Sequence, residues 1–174
     1  MAIDKEKYKV LYEYQKFQFE EERGHYFRLE DKAAKYLSFL TLSIPLYLFL
    51  FSNIISKIPI ETNCILYFCL FFSILLSIAC FCSAWSLIFR SMKLRDIPKL
   101  TSDQVLIDYF LDHDIATVFW DRAEKYGDAI KAYDLVNKEK IKLMRIAYKE
   151  IAFGSSFFMV FICLLLIIWG IYGK

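Results

Sequence analysis

The chain is poor in the residues that punctuate a fold: of 174 residues only 5 are glycine, 3 proline and 2 histidine. That scarcity leaves no Gly-rich phosphate loop and no nucleophile elbow. His25 and His113 stand apart without a ligand pattern around them, so no metal site is expected. No catalytic residue or cofactor is expected either, and the chain does not read as an enzyme. Charge is also missing, but only in places. Tyr36–Ile55, Cys64–Phe89 and Ile151–Tyr172 hold no acid or base over 20, 26 and 22 residues.

Those gaps organise everything else. With 57% hydrophobic and 24% charged residues, the two kinds are segregated along the sequence instead of mixed as in a soluble domain. Each uncharged run is long enough to cross a bilayer core of about 30 Å as a helix. The predicted fold class is an all-α membrane protein with three transmembrane helices and a long-helix cytoplasmic stalk. Its parts are an N-terminal helix (1–35), a transmembrane hairpin (spans 36–55 and 64–89), a stalk (90–150) and a third span (151–172). Residues 1–35 carry eight bases and eight acids, where a cleavable signal would need an apolar centre.

Lys32 and Lys35 precede the first span, Arg90, Lys93, Arg95 and Lys99 follow the second, and Lys138, Lys140, Lys142, Arg145 and Lys149 precede the third. The 57–63 connection has one base, Lys57. The positive-inside rule then puts residues 1–35 and 90–150 in the cytoplasm, and the hairpin turn and C-terminus outside. Pro59 and Asn63 suit a tight helical hairpin. The five cysteines all lie in or at the edge of the runs and read as apolar packing residues.

Between Asp4 and Lys35 there is no proline, so one helix of about 48 Å is expected to feed the first span. On it Tyr12, Phe19 and Tyr26 are seven apart. From Ile115 on, Phe119, Ala123, Tyr126, Ile130, Tyr133, Asn137, Met144 and Tyr148 follow three- and four-residue steps with Lys140 skipped. That is a heptad seam, and Phe119, Tyr126, Ile130, Tyr133 and Asn137 are its expected oligomer contacts. A break at Ile97-Pro98 and a cap at Thr101 or Ser102, with Asp103 in the first turn, predict a short helix to about Leu111. Acid groups such as Glu20-Glu21-Glu22 and Asp112/Asp114 read as solvated faces.

Small and hydroxyl residues mark the spans: Ser38, Thr41, Pro45 and Ser52 on the first, Ser73 and Ser77 with Cys80 and Ala84 on the second. Such stripes imply close helix packing, with pore lining as the alternative. Pro45 predicts a kink, either fixed or a hinge. The basic layer of five bases against Glu139 between 138 and 149 satisfies anionic headgroups. Alternatively Tyr126, Asn137, Lys138, Lys140 and Arg145 bind an anionic ligand such as a nucleotide. A polar seam residue like Asn137 equally well fixes register and oligomeric state.

The segment Arg28-Leu29-Glu30-Asp31-Lys32-Ala33-Ala34-Lys35-Tyr36-Leu37 runs into the first span. A hairpin, the basic exit 90–99 and a long helix with Asn137-Lys138-Glu139-Lys140 follow before the last span. In this plan the chain resembles the small transmembrane effectors of bacterial Pycsar anti-phage systems, and is similar to SLATT membrane effectors. The resemblance implies a partner cyclase that makes a cyclic pyrimidine mononucleotide (cCMP or cUMP) on infection. That signal, or a partner defence protein, then makes the effector disrupt the inner membrane and abort the infection. By position it carries over Asp31, Lys32 and Ala33 at the membrane entry and Asn137 and Lys140 on the long helix, which adds Asp31 and Lys32 to the ligand candidates. There is no separate nucleotide-binding domain, so a nucleotide must bind between helices or act through another protein. The partners expected are therefore the membrane, further copies of the chain, and this signal; nucleic acid is not expected. The alternative function is a membrane adaptor whose coiled stalk recruits a soluble partner.

Overall fold

A computed structural model describes residues 5–55, 63–93 and 104–172. Of these, 97% are helical, with no strand among them. The four helices are α1 (Lys5–Ile55), α2 (Cys64–Ser91), α3 (Gln104–Asp112) and α4 (Ile115–Tyr172). The fold is all-α, and α1, α2 and α4 each contain a stretch long and apolar enough to cross a membrane. The Pro59 turn, the Pro98 break and the Thr101, Ser102 and Asp103 cap lie outside the described residues.

Capping residues explain two of the starts. Asn63 accepts from the Ile65 amide at 3.0 Å and so caps α2. Asp114 accepts from the Ala116 amide at 3.3 Å and caps α4, so it has more than the solvated role read from sequence. α1 continues unbroken through Pro45.

The chain forms two compact units. The first comprises Met1–Asp31 and Leu94–Lys140, the second Lys32–Lys93 and Ile141–Lys174.

In the second unit, every buried residue of α2 falls on one face: Leu70, Ser73, Ile74, Ser77, Phe81, Ala84, Ile88 and Ser91. Ala84, Ala33, Leu40 and Ala147 belong to one buried cluster, where small side chains let backbones approach. Tyr47 stacks on Phe81 with ring centroids 5.1 Å apart. The Ser77 hydroxyl donates to the Gly154 carbonyl at 2.8 Å, which places the predicted Ser73/Ser77 stripe inside the packing. The first-run stripe does the opposite: Ser38, Thr41, Pro45 and Ser52 are all exposed. There, the Thr41 hydroxyl donates to the Leu37 carbonyl and accepts from the Trp85 indole. Of the cysteines only Cys80 is half-buried and the other four lie on the surface, so most of them do not pack the interior as the sequence suggested.

Gly154 marks the tightest approach. A Cβ there would sit 3.1 Å from the Phe81 ring and 3.2 Å from the Cys80 Cβ, and that ring is held by Tyr47. Gly170 has nothing within 4 Å. Gly154→Leu is expected to destabilise the unit by about 1–3 kcal/mol through overpacking, while Gly170→Leu leaves it unchanged. Thermal unfolding of both variants in mild detergent measures the difference.

Candidate functional site

In the first unit the α4 seam is filled by α1 of the same chain. Rings alternate up the contact: Tyr8 against Trp120 at 5.9 Å, Tyr12 against Phe119 at 5.4 Å, and Phe19 between Tyr126 and Tyr133 at 5.3 and 5.6 Å. Tyr26 closes on Tyr133 at 5.8 Å. The order of pairs makes the two helices parallel. The contacts expected between copies at Phe119, Tyr126, Tyr133 and Asn137 are thus made within one chain, and Ile130 on the same stripe is half-buried. A heptad stripe specifies that a partner helix packs on it, but not which chain supplies that helix. Burial and the neighbouring Tyr12 push the Tyr126 phenol up.

The seam turns polar at its C-terminal end. Asn137, 2% exposed, donates through Nδ2 to the Glu22 carbonyl at 3.3 Å and to the Glu22 carboxylate at 3.0 Å. Its Oδ1 has no partner among the described residues. Lys140, 4% exposed, pairs with Glu30. Its Nζ also lies 3.9 Å from the Tyr26 ring centroid, a cation–π contact. The ion pair is the ammonium's polar contact among the described residues, for no hydrogen-bond partner completes its shell. Burial pushes this ammonium down to about 8 even with Glu30 beside it.

The stepping read from sequence needs two corrections here. Lys140 is a buried member of the seam, not a skipped position. Downstream, Ala147 is the buried residue at 1% exposed, whereas Tyr148 is 63% exposed. The unbroken stepping runs 137, 140, 144, 147 and on through the buried or half-buried positions 151, 154, 158, 161, 165, 168 and 172. A lysine reads as polar in any periodicity count, which hid the register.

Of the remaining ligand candidates, Tyr126 packs in the aromatic ladder and the others lie on the surface. Lys138 is exposed and pairs with Asp134 at 2.7 Å. Asp31, Lys32 and Arg145 are each exposed. Sequence reasoning missed Glu22, taken as solvated, and Glu30. The signal was present: filling the steps between Tyr12, Phe19 and Tyr26 gives Gln15, Glu22 and Leu29. It also missed Arg122, which is 9% exposed. Arg122 pairs with Asp121 at 3.2 Å and lies over the Phe110 ring, tying α3 to α4.

Chemically, Asn137 and Lys140 form a donor pair one helical step apart, held by two carboxylates. A buried ion pair is costly to strip of one partner yet often no better than an apolar pair. Glu30→Gln is expected to cost about 1–3 kcal/mol, and adding Lys140→Met should restore stability. Between pH 8 and 10.5 the unfolded chain holds the lysine proton that the folded chain has shed, so stability rises with pH across that window. Thermal unfolding of the wild type should show the rise and Lys140→Met should abolish it. No family model matches the chain, nor does any curated protein or solved structure, so its own residues carry the functional assignment.

Proposed function

We propose that the chain is a multi-pass effector of the bacterial inner membrane that works as an oligomer. Its N-terminus and stalk are cytoplasmic and its C-terminus outside, and its apolar helices permeabilise the membrane when the stalk receives an infection signal. The observation that carries this reading is the continuity of α4. One heptad register runs from Phe119 through the ion-paired step at Asn137 and Lys140 into the apolar run that ends at Tyr172. The polar step and the apolar run thus belong to one unbroken helix.

Two further features support it. The apolar runs expose large side chains outward, with Leu42 at 76%, Ile65 at 72%, Phe68 at 65% and Leu166 at 64%, a surface suited to lipid and not to water. Within the runs there is no acid or base, which disfavours a transporter relay. It fits a passage lined by backbone, hydroxyl and apolar groups of several copies.

The signal implied by the likeness to Pycsar effectors is a cyclic pyrimidine mononucleotide. Its phosphate would act by competing with Glu30 for Lys140 and with Glu22 for Asn137. To move a switch from 1:99 to 99:1 it must prefer the repacked seam by about 5.5 kcal/mol, which several sites in one oligomer supply more readily than one.

Expression in bacteria with and without a pyrimidine nucleotidyl cyclase, read with a membrane-potential dye, tests the proposal. Depolarisation is expected only when both are present, and Lys140→Met should lose it while still reaching the membrane. Absence of depolarisation under every inducing condition rejects the effector role.

A further inference from the structure

Beside the aromatic ladder, the first unit carries two surfaces that stay open among the described residues. On α1, Val10, Tyr14 and Phe17 stand one and two turns apart on one face, 60, 59 and 61% exposed, away from the face of Tyr12 and Phe19. Beside the α1–α4 contact lie two grooves of about 260 and 280 Å³ that share Trp120, itself 51% exposed. The larger has Leu11, Ala123 and Gly127 along it and Glu124 at its edge. Gly127 weakens a helix interior, and no packing among the described residues requires it. The atom nearest to an added Cβ is the Gln15 side-chain oxygen, at 4.0 Å.

We propose that the Val10–Tyr14–Phe17 face of one copy seats in the Trp120–Gly127 groove of the next, joining copies head to tail. This deepens the effector reading and rests on its claim that copies stand side by side in one membrane. Height is the first argument. Tyr12 and Phe19 pack against Phe119 and Tyr126, so the α1 stripe lies level with the groove, and a sideways step brings one to the other. Both run seven residues along parallel helices, about 10 Å.

Charge is the second argument. From Lys5 to Phe17 there are four lysines against two glutamates, while described residues 104–134 hold seven acids against three bases. Lys16, next to Phe17, and Glu124, at the groove edge, are both exposed. Neither takes part in an ion pair among the described residues, unlike Lys9, Lys125 and Lys131. Opposite charges at one height set the register of such a contact and reject a shifted one. Because the two surfaces differ, the contact is heterologous and repeats from copy to copy instead of stopping at a two-fold dimer.

The test is cysteine cross-linking of the full chain in native membranes, with Tyr14→Cys and Gly127→Cys in one chain. The wild type serves as control, because its five cysteines lie in the apolar segments. A ladder of dimer, trimer and higher species is expected from the double variant and none from either single variant. Dimers from Tyr14→Cys alone would reveal a two-fold contact and overturn the proposal, as would no ladder from the double variant. In mild detergent, Gly127→Leu should lose the large species while helix content and thermal stability do not fall. Lys16→Glu should lose it and Glu124→Lys in the same chain should restore it. A wild type that sizes as a monomer, its groove then serving another protein, also overturns the contact. Depolarisation without the ladder removes this interface and leaves the effector role standing; the ladder without depolarisation does the reverse.

Discussion

The parallel pairing of α1 with α4 along one seven-residue repeat is the contact on which the first unit depends. α3 has no buried residue, so the buried residues described in that unit lie on the two long helices. They meet through rings in preference to aliphatic side chains: tyrosine and phenylalanine from α1 stand between tyrosine and phenylalanine from α4, tilted or edge-on. Each such pair adds about 0.5–1.5 kcal/mol beyond the area it buries. Rings also reach farther than leucine, so they bridge the two helices while each stays half-buried.

Against that ladder, the step at Asn137 and Lys140 is a departure with a purpose. Methionine or leucine at these positions would bury more comfortably, because desolvating an ammonium costs more than its one carboxylate returns. What the polar pair adds is register. Only when Tyr26 lies against Tyr133 do Glu22 and Glu30 come level with Asn137 and Lys140, and a slip of one heptad would leave a charge buried without its partner. The same two side chains that specify the alignment are therefore the ones whose loss of partner would loosen it. They lie just before the basic stretch that leads into the last apolar run.

The second unit is built on the opposite chemistry. Its contacts are alanine on alanine, a serine hydroxyl on a glycine carbonyl, and stacked rings, with no charge in the apolar runs. Size is decisive there: Gly154 lets the Phe81 ring in, and a single added methyl would press on it. Surfaces left outside, such as Leu42 and Ile65, are as apolar as the interior, so what distinguishes inside from outside is fit and not polarity.

Much of this was legible from residue order alone. Helix length, the three uncharged runs and the repeat from Phe119 to Asn137 all follow from local periodicity and composition, which need no partner to be read. The likeness of Tyr12, Phe19 and Tyr26 to a second seam was equally visible. Tertiary structure decided what those stripes meet. It turned an expected contact between copies into one within the chain, because a seam records the need for a partner and not its origin. It moved Lys140 from a skipped position into the interior, because a charge is buried only when a distant residue, here Glu30, arrives to neutralise it. And it divided the two small-residue stripes, burying Ser73 and Ser77 while leaving Ser38, Thr41, Pro45 and Ser52 outside. In an apolar helix every face is hydrophobic enough to be buried, so only the shape of the neighbouring helices selects one.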